Sequence, residues 1–98
     1  MTRRVVLQPA ALADVDAAAV WYEQEHAGLG GRFLDELSDL LERIAENPLQ
    51  FPALEQVVRR GLLRRFPFGV YFRVEARRVV VIAVLHLHRH PDTWRRRR

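Results

Sequence analysis

The sequence predicts an α+β domain: an N-terminal strand, a helical hairpin, then a three-stranded antiparallel meander (β-α-α-β-β-β) with both helices packed on one face of the sheet. Two stretches with apolar residues at helical spacing, divided by a glycine-rich break, predict the hairpin. A change to strand texture from Val57 onward predicts the meander. The opposite face of the sheet is expected to stay open.

The first strand is Arg4 to Gln8, short, β-branched and apolar, and ended by Pro9. Pro9 sits where a helix can begin. From Ala10 to Glu25, Leu12, Val15, Ala19 and Tyr22 recur at helical spacing, widened by Ala18 and Trp21. Asp14 and Asp16 lie near its start, where the helix dipole favours anions. His26 to Gly31 is the break, its three glycines suited to a tight helix-to-helix turn. A second helix over Arg32 to Glu46 buries Phe33, Leu37, Leu40, Leu41 and Ile44, and Asn47-Pro48 stops it.

Pro48 to Pro52 is a loop. Val57 to Phe66 is read as a strand although its residues come in doublets (Arg59-Arg60, Leu62-Leu63, Arg64-Arg65), with Gly61 marking a bulge. Pro67 turns the chain. Gly69 to Glu75 alternates, Val70, Phe72 and Val74 against Tyr71, Arg73 and Glu75. After the turn Ala76 to Arg78, Val79 to His88 is apolar on both faces as far as Leu85, as a central strand is. Residues 91–98 read as a basic tail holding Trp94.

The 98 residues, 49% of them hydrophobic, make one domain spanning 1–98 with a modest core. The lack of cysteine excludes disulfides, thiolate metal sites and a cysteine nucleophile, and suits a reducing cytoplasm. The opening apolar run is too short for a signal peptide, and Val79 to Leu85 is far too short to span a membrane, so a soluble cytoplasmic protein is expected. Residues 1–49 carry four Arg against nine Asp/Glu, whereas 50–98 carry twelve Arg against three. All sixteen basic residues are Arg. Guanidinium forks grip carboxylates and phosphates bidentately, so the basic half predicts an acidic partner.

The candidate partner-binding residues are Arg59, Arg60, Arg64, Arg65, Tyr71, Arg73, Arg89 and Trp94, with Arg77, Arg78 and Arg95 to Arg98 enlarging the basic set. Direct nucleic-acid binding lacks the interleaved aromatics of single-strand platforms. His86, His88 and His90 share one face if the strand reaches residue 90, about 7 Å apart at each step. Such a face could supply a general base, but no carboxylate completes a metal site, so neither metal nor cofactor is expected. Glu55, Tyr71 and Arg73 would offer a base, a proton donor and a phosphate clamp for RNA cleavage. Gly28-Leu29-Gly30-Gly31 lies between helices rather than after a strand, so it is no phosphate loop. Ser38, mid-helix, is not placed as a nucleophile.

Five strings in register carry a family resemblance: Trp21-Tyr22-Glu23; Gly28-Leu29-Gly30 with Arg32-Phe33; Asn47-Pro48 with Phe51-Pro52; Arg64-Arg65-Phe66-Pro67-Phe68 with Val70-Tyr71; and His86-Leu87-His88-Arg89 with Pro91 and Trp94. From about Leu7 to Trp94 the chain resembles the ParE branch of the ParE/RelE toxins of type II toxin–antitoxin systems. The resemblance implies a toxin that inhibits DNA gyrase by protein binding, held in a hetero-oligomer by an acidic antitoxin whose amphipathic segment folds on contact. The alternative it implies is a ribosome-dependent mRNA endonuclease using His86 or His88 as base and Arg64, Arg65 or Arg73 as clamp. Ribonuclease-type relatives carry an Arg just before the Val-Tyr of the middle strand. Phe66-Pro67-Phe68-Gly69 has none, which argues against cleavage. The turn Ala76-Arg77-Arg78 also departs from the Gly- or Asp-containing turn usual in the family. A non-toxic interaction module is the remaining reading.

Overall fold

Strand and helix follow the apolar pattern closely in the computed structural model, which describes residues 2–89 and 92–98. The elements are β1 (Arg4–Leu7), α1 (Pro9–Glu25), α2 (Leu29–Glu46), a single 3-10 turn (Pro48–Gln50), β2 (Ala53–Glu55), β3 (Val58–Leu62), β4 (Phe68–Val74), β5 (Arg78–His86) and α3 (Thr93–Arg97). One five-stranded sheet runs β1-β5-β4-β3-β2. The expected meander is β3-β4-β5, antiparallel throughout.

The sheet as a whole is mixed, because β1 lies parallel to β5, from Arg4 opposite Arg78 to Leu7 opposite Val81. An apolar strand on both faces needs neighbours on both sides, and β1 is the strand left to supply the second. β2 was not foreseen. It forms a small hairpin with β3 through Gln56, a non-glycine residue with φ of +44°.

Glycine roles also shift. Gly28 alone takes the left-handed conformation (φ +88°), and α2 begins at Leu29, so Gly30 and Gly31 lie inside the helix. Gly30 is required there by contact: a Cβ would fall 2.6 Å from the carbonyl oxygen of Ala19 on α1. The Glu23 carboxylate accepts the N–H groups of Gly28 and Gly30, at 2.9 and 3.0 Å, and satisfies donors at the open start of α2. Gly61 is not a bulge. The β3–β4 register runs unbroken through it, and its missing side chain makes room for Leu40 and Phe51. Register shifts fall instead at Tyr71/Phe72 against β5 and at Ala53/Glu55 in the β2–β3 pair. The strand expected over Val57 to Phe66 stops at Leu62, because Leu63 to Pro67 fold into a turn whose Arg64 and Arg65 N–H groups donate to Glu36 of α2.

The hairpin covers one face of the sheet. Val15, Ala18, Tyr22, Phe33, Leu37, Leu40 and Ile44 pack on Phe66, Phe68, Val70, Phe72, Val81 and Val84. Leu12 and Trp21, expected on the buried stripe of α1, are exposed instead, and Ala11 takes the inward place. An apolar residue recurs all round this helix, so its periodicity could not choose a face.

The opposite face is not open. Residues 93–97, read from sequence as basic tail, form α3 and lay Trp94 on a second core made of Val58, Tyr71, Val80, Ile82, Ala83 and Leu85. Tyr71 stacks on Trp94 with ring centroids 5.6 Å apart and planes 12° from parallel.

Candidate partner-binding surface

The arginines do not gather into one basic face. Arg59 is half-buried and donates to the carbonyls of Phe51 (2.6 Å) and Leu49. Arg73 and Arg78 share Glu75, and Arg95 and Arg98 share Glu55. Arg97 pairs with Asp14 and reaches the carbonyl of Ile82. Arg60 lies half-buried beside Gly69, its Nε without a partner. The expectation of open arginines is therefore corrected for Arg59, Arg73, Arg78, Arg95, Arg97 and Arg98, each beside a carboxylate or carbonyl that satisfies it, whereas Arg77 and Arg96 stay exposed. Tyr71 and Trp94, only 2% and 4% exposed, are core residues facing each other rather than a surface.

The ion pairs depress the carboxylates they hold. Hydrogen bonding to Arg95 first, and then the charges of Arg95 and Arg98, keep the Glu55 carboxyl below its usual range. Arg78 does the same for Glu75, with Arg73 assisting. Asp14, expected to serve the helix dipole, accepts the N–H of Val84 at 3.0 Å. It thereby closes the edge of β5 where β1 has ended.

Several accessible arginines collect at one end of the molecule, where the α1–α2 turn, the Leu63–Pro67 turn and the end of β5 meet. Arg64 and Arg65 are exposed there, facing Arg32 across a groove that also holds Asp35, Glu36 and Asp39 of α2. Among the described residues no carboxylate forms an ion pair with Arg32, Arg64, Arg65 or Arg89. On the other side of Tyr22 a cavity of about 250 Å³ opens between α1 and β5, lined by Ala17, Ala18, Trp21, Phe68, Val84 and Arg89 among others. The Arg89 guanidinium lies over the Trp21 ring, 5.2 Å from its centroid. Burial raises the Tyr22 hydroxyl pKa above its ordinary value, and the nearby Arg89 charge opposes that rise.

The histidines sit at this end as well. The His86 ring meets Phe68 at 5.4 Å and His88 at 5.8 Å, on the hairpin side of the sheet. His90 and Pro91 lie outside the described residues, so the three-histidine face expected there is not described. No group of three His, Asp or Glu able to hold a metal ion exists among the described residues. Glu55, a possible base by sequence, is committed to Arg95 and Arg98.

Sequence reasoning passed over Trp21, Arg32 and Asp14 as functional residues. The available signal was the pair Trp21-Tyr22: neighbours on a helix point about 100° apart, so one of two adjacent aromatics faces outward.

The family model of the ParE toxin of the type II toxin–antitoxin system, parDE, matches residues 5–91. No curated protein gives a significant match. Among solved structures, the chain is similar to one from a chromosomal ParDE toxin–antitoxin system of P. aeruginosa, with a TM-score of 0.72 and 20% identity over 87% of this chain and 96% of that one. It is also similar to a chain of the toxin–antitoxin complex RelBE2 from Mycobacterium tuberculosis, with a TM-score of 0.65 and 17% identity over 88% of this chain and 99% of that one. At these identities the likeness shows a shared fold.

Proposed function

The chain belongs to the ParE toxin family of type II toxin–antitoxin systems, and on that premise we propose that it is a cytoplasmic toxin that inhibits DNA gyrase by binding it and is neutralised by an acidic antitoxin. The observation that favours the non-enzymatic reading is the separation of His86 from Arg73 and Tyr71, which leaves only Arg64 and Arg65 of the candidate clamps at the histidines' end of the molecule. His86 pairs with Phe68 at one end of β4, and Arg73 pairs with Val80 near the other. The five residue steps of strand from Phe68 to Arg73 amount to about 17 Å. The two also lie on opposite sides of the sheet, His86 against Phe68 of the hairpin core and Arg73 beside Tyr71's face. A base and a phosphate clamp must lie within hydrogen-bond reach of one phosphodiester, and these do not. Tyr71 is sealed beneath Trp94.

The accessible end of the molecule suits protein recognition instead. It joins exposed Trp21 to Arg32, Arg64, Arg65 and Arg89, the aromatic-and-arginine composition that anchors interfaces.

The similarity in fold to a RelBE complex keeps a ribosome-dependent endonuclease as the second reading. Purified protein added to gyrase and, separately, to translated mRNA distinguishes them. Loss of supercoiling with uncut message supports the proposal. Cleavage mapped by primer extension, abolished by His86→Ala or His88→Ala, with gyrase unaffected, would replace it with the second. Neither effect, with unimpaired growth on overexpression, points to a non-toxic interaction module.

A further inference from the structure

The cavity beside Trp21 exists because two elements stop short of each other. β1 accompanies β5 only as far as Val81, while β5 continues to His86. Among the described residues no strand covers that edge beyond Val81, and α1 presents the small Ala17 and Ala18 to it between Asp14 and Trp21. Trp21 forms one wall, 44% exposed although it is among the largest apolar side chains of the chain. At about 250 Å³ the cavity is smaller than the roughly 300–1,000 Å³ of sites for drug-sized ligands and cofactors. It has the size for one side chain.

Charge at the mouth selects the neighbour of that side chain. Arg89 is exposed, rests on Trp21, and pairs with no carboxylate among the described residues. A guanidinium lying over a ring has its position fixed while its N–H groups remain available at the edge. Among the described residues the one carboxylate lining the cavity, Asp14, is already engaged by the Val84 N–H and by Arg97. Across Tyr22 the groove balances Arg32, Arg64 and Arg65 with Asp35, Glu36 and Asp39, so the positive charge at the cavity mouth is that of Arg89.

We propose that this cavity is a socket for one large apolar side chain of the acidic antitoxin, and that Arg89 holds a carboxylate beside that side chain in the antitoxin's sequence. The proposal rests on the toxin–antitoxin reading above and adds the place and chemistry of the anchor. An apolar group alone would leave Arg89 unmatched, and a carboxylate alone would leave the cavity empty, so the socket selects the two together.

The test uses the full-length toxin and the antitoxin whose co-expression restores growth. Binding is measured by calorimetry for native toxin, Ala17→Trp, which fills the cavity from an exposed position, and Arg89→Glu, which reverses the charge at its mouth. Circular dichroism and unfolding midpoints confirm folding, and Arg89→Glu carries the test if Ala17→Trp does not fold. Each variant is expected to weaken binding by at least about 30-fold, the scale of an interface hot spot. Replacing the antitoxin's large apolar residues one at a time by alanine should reveal one position that costs as much against native toxin but under about threefold against Ala17→Trp, the mark of direct contact. Affinities within about threefold for both toxin variants overturn the socket while leaving the antitoxin reading intact. Absence of any neutralising antitoxin overturns both. Unchanged antitoxin affinity with lost gyrase inhibition assigns the cavity to the target, and dissociation of a self-associated toxin in sedimentation assigns it to a second copy. Either result overturns the proposal.

Discussion

The two faces of the sheet are both covered, but by opposite means. On one, α1 and α2 contribute 35 residues of helix, 17 and 18, with Phe33, Leu40 and Ile44 wholly buried. On the other, five residues of α3 hold a single aromatic against Tyr71, and charged side chains secure its edges. The first lid is built from continuous apolar surface, the dominant driving force of folding. The second combines one large ring with the part-exposed pairs of Glu55, weak one at a time, and one more buried pair, Arg97 with Asp14. Stability should be concentrated on the hairpin side, and the α3 side should open first.

The largest effect expected is on the hairpin core. Phe33→Ala removes a ring that touches Tyr22, Phe66 and Phe68 at centroid distances between 5.1 and 5.5 Å. It should cost about 3–5 kcal/mol in urea-induced unfolding. Trp94→Ala removes a ring of comparable burial, yet it should cost only about 2 kcal/mol, because α3 can undock and regain chain entropy while the five strands persist. Amide exchange would show the difference directly, with faster exchange of α3 and unchanged protection along β4 and β5. Equal costs for the two substitutions would mean that both lids belong to one cooperative unit, and the contrast between them would fail.

That contrast also explains what could be read from the sequence. The hairpin was legible because its stripe in α2 repeats every three or four residues, and β4 and β5 because alternation and a two-sided apolar run are local patterns. Buried α3 was not legible: Thr93 to Arg97 contains one apolar residue and no period, so only its destination reveals it. The arginines misled for the same reason. Their composition predicted an exposed basic face, but Arg95 finds Glu55 40 positions away and Arg97 finds Asp14 83 positions away. Charge counted along a chain does not report such pairings. Of the candidate site, Arg64, Arg65 and Arg89 are where an exposed residue should be, whereas Tyr71 and Trp94 turned inward. The cavity itself depends on where β1 ends relative to β5, a register that no single strand's pattern contains.

The join between the two lids provides a smaller test. Asp14 stands on α1 and touches both the β5 edge, through the Val84 N–H, and α3, through Arg97. Asp14→Ala leaves that N–H unpaired and should cost about 1–3 kcal/mol. Arg97→Ala should cost less, since water can replace it at the rim. A double-mutant cycle isolates the coupling. Strictly additive effects would show that the Asp14–Arg97 pair does not help to hold α3.

Acid should act on the α3 side and spare the hairpin. Glu55 and Glu75 have carboxyl pKa values lowered by their arginines from an ordinary value of 4.5. A group whose folded pKa is depressed stabilises the fold above its unfolded pKa and loses that contribution as pH falls through the folded one. The contribution of Glu55 to docking α3 is therefore complete at neutral pH and declines below about 4.5, as protonation frees Arg95 and Arg98. Glu55, Arg95 and Arg98 are all part-exposed, so the effect is small and salt reduces it. In a Trp21→Phe background the fluorescence of Trp94 reports α3 alone, because the chain has two tryptophans. Its emission should shift to the red as pH falls below about 4.5, before far-UV circular dichroism changes. Glu55→Gln should remove the pH dependence of the shift. A signal that instead moves together with global unfolding, unchanged by Glu55→Gln, would place the acid-sensitive contacts beneath the hairpin and reverse the assignment of the weaker lid.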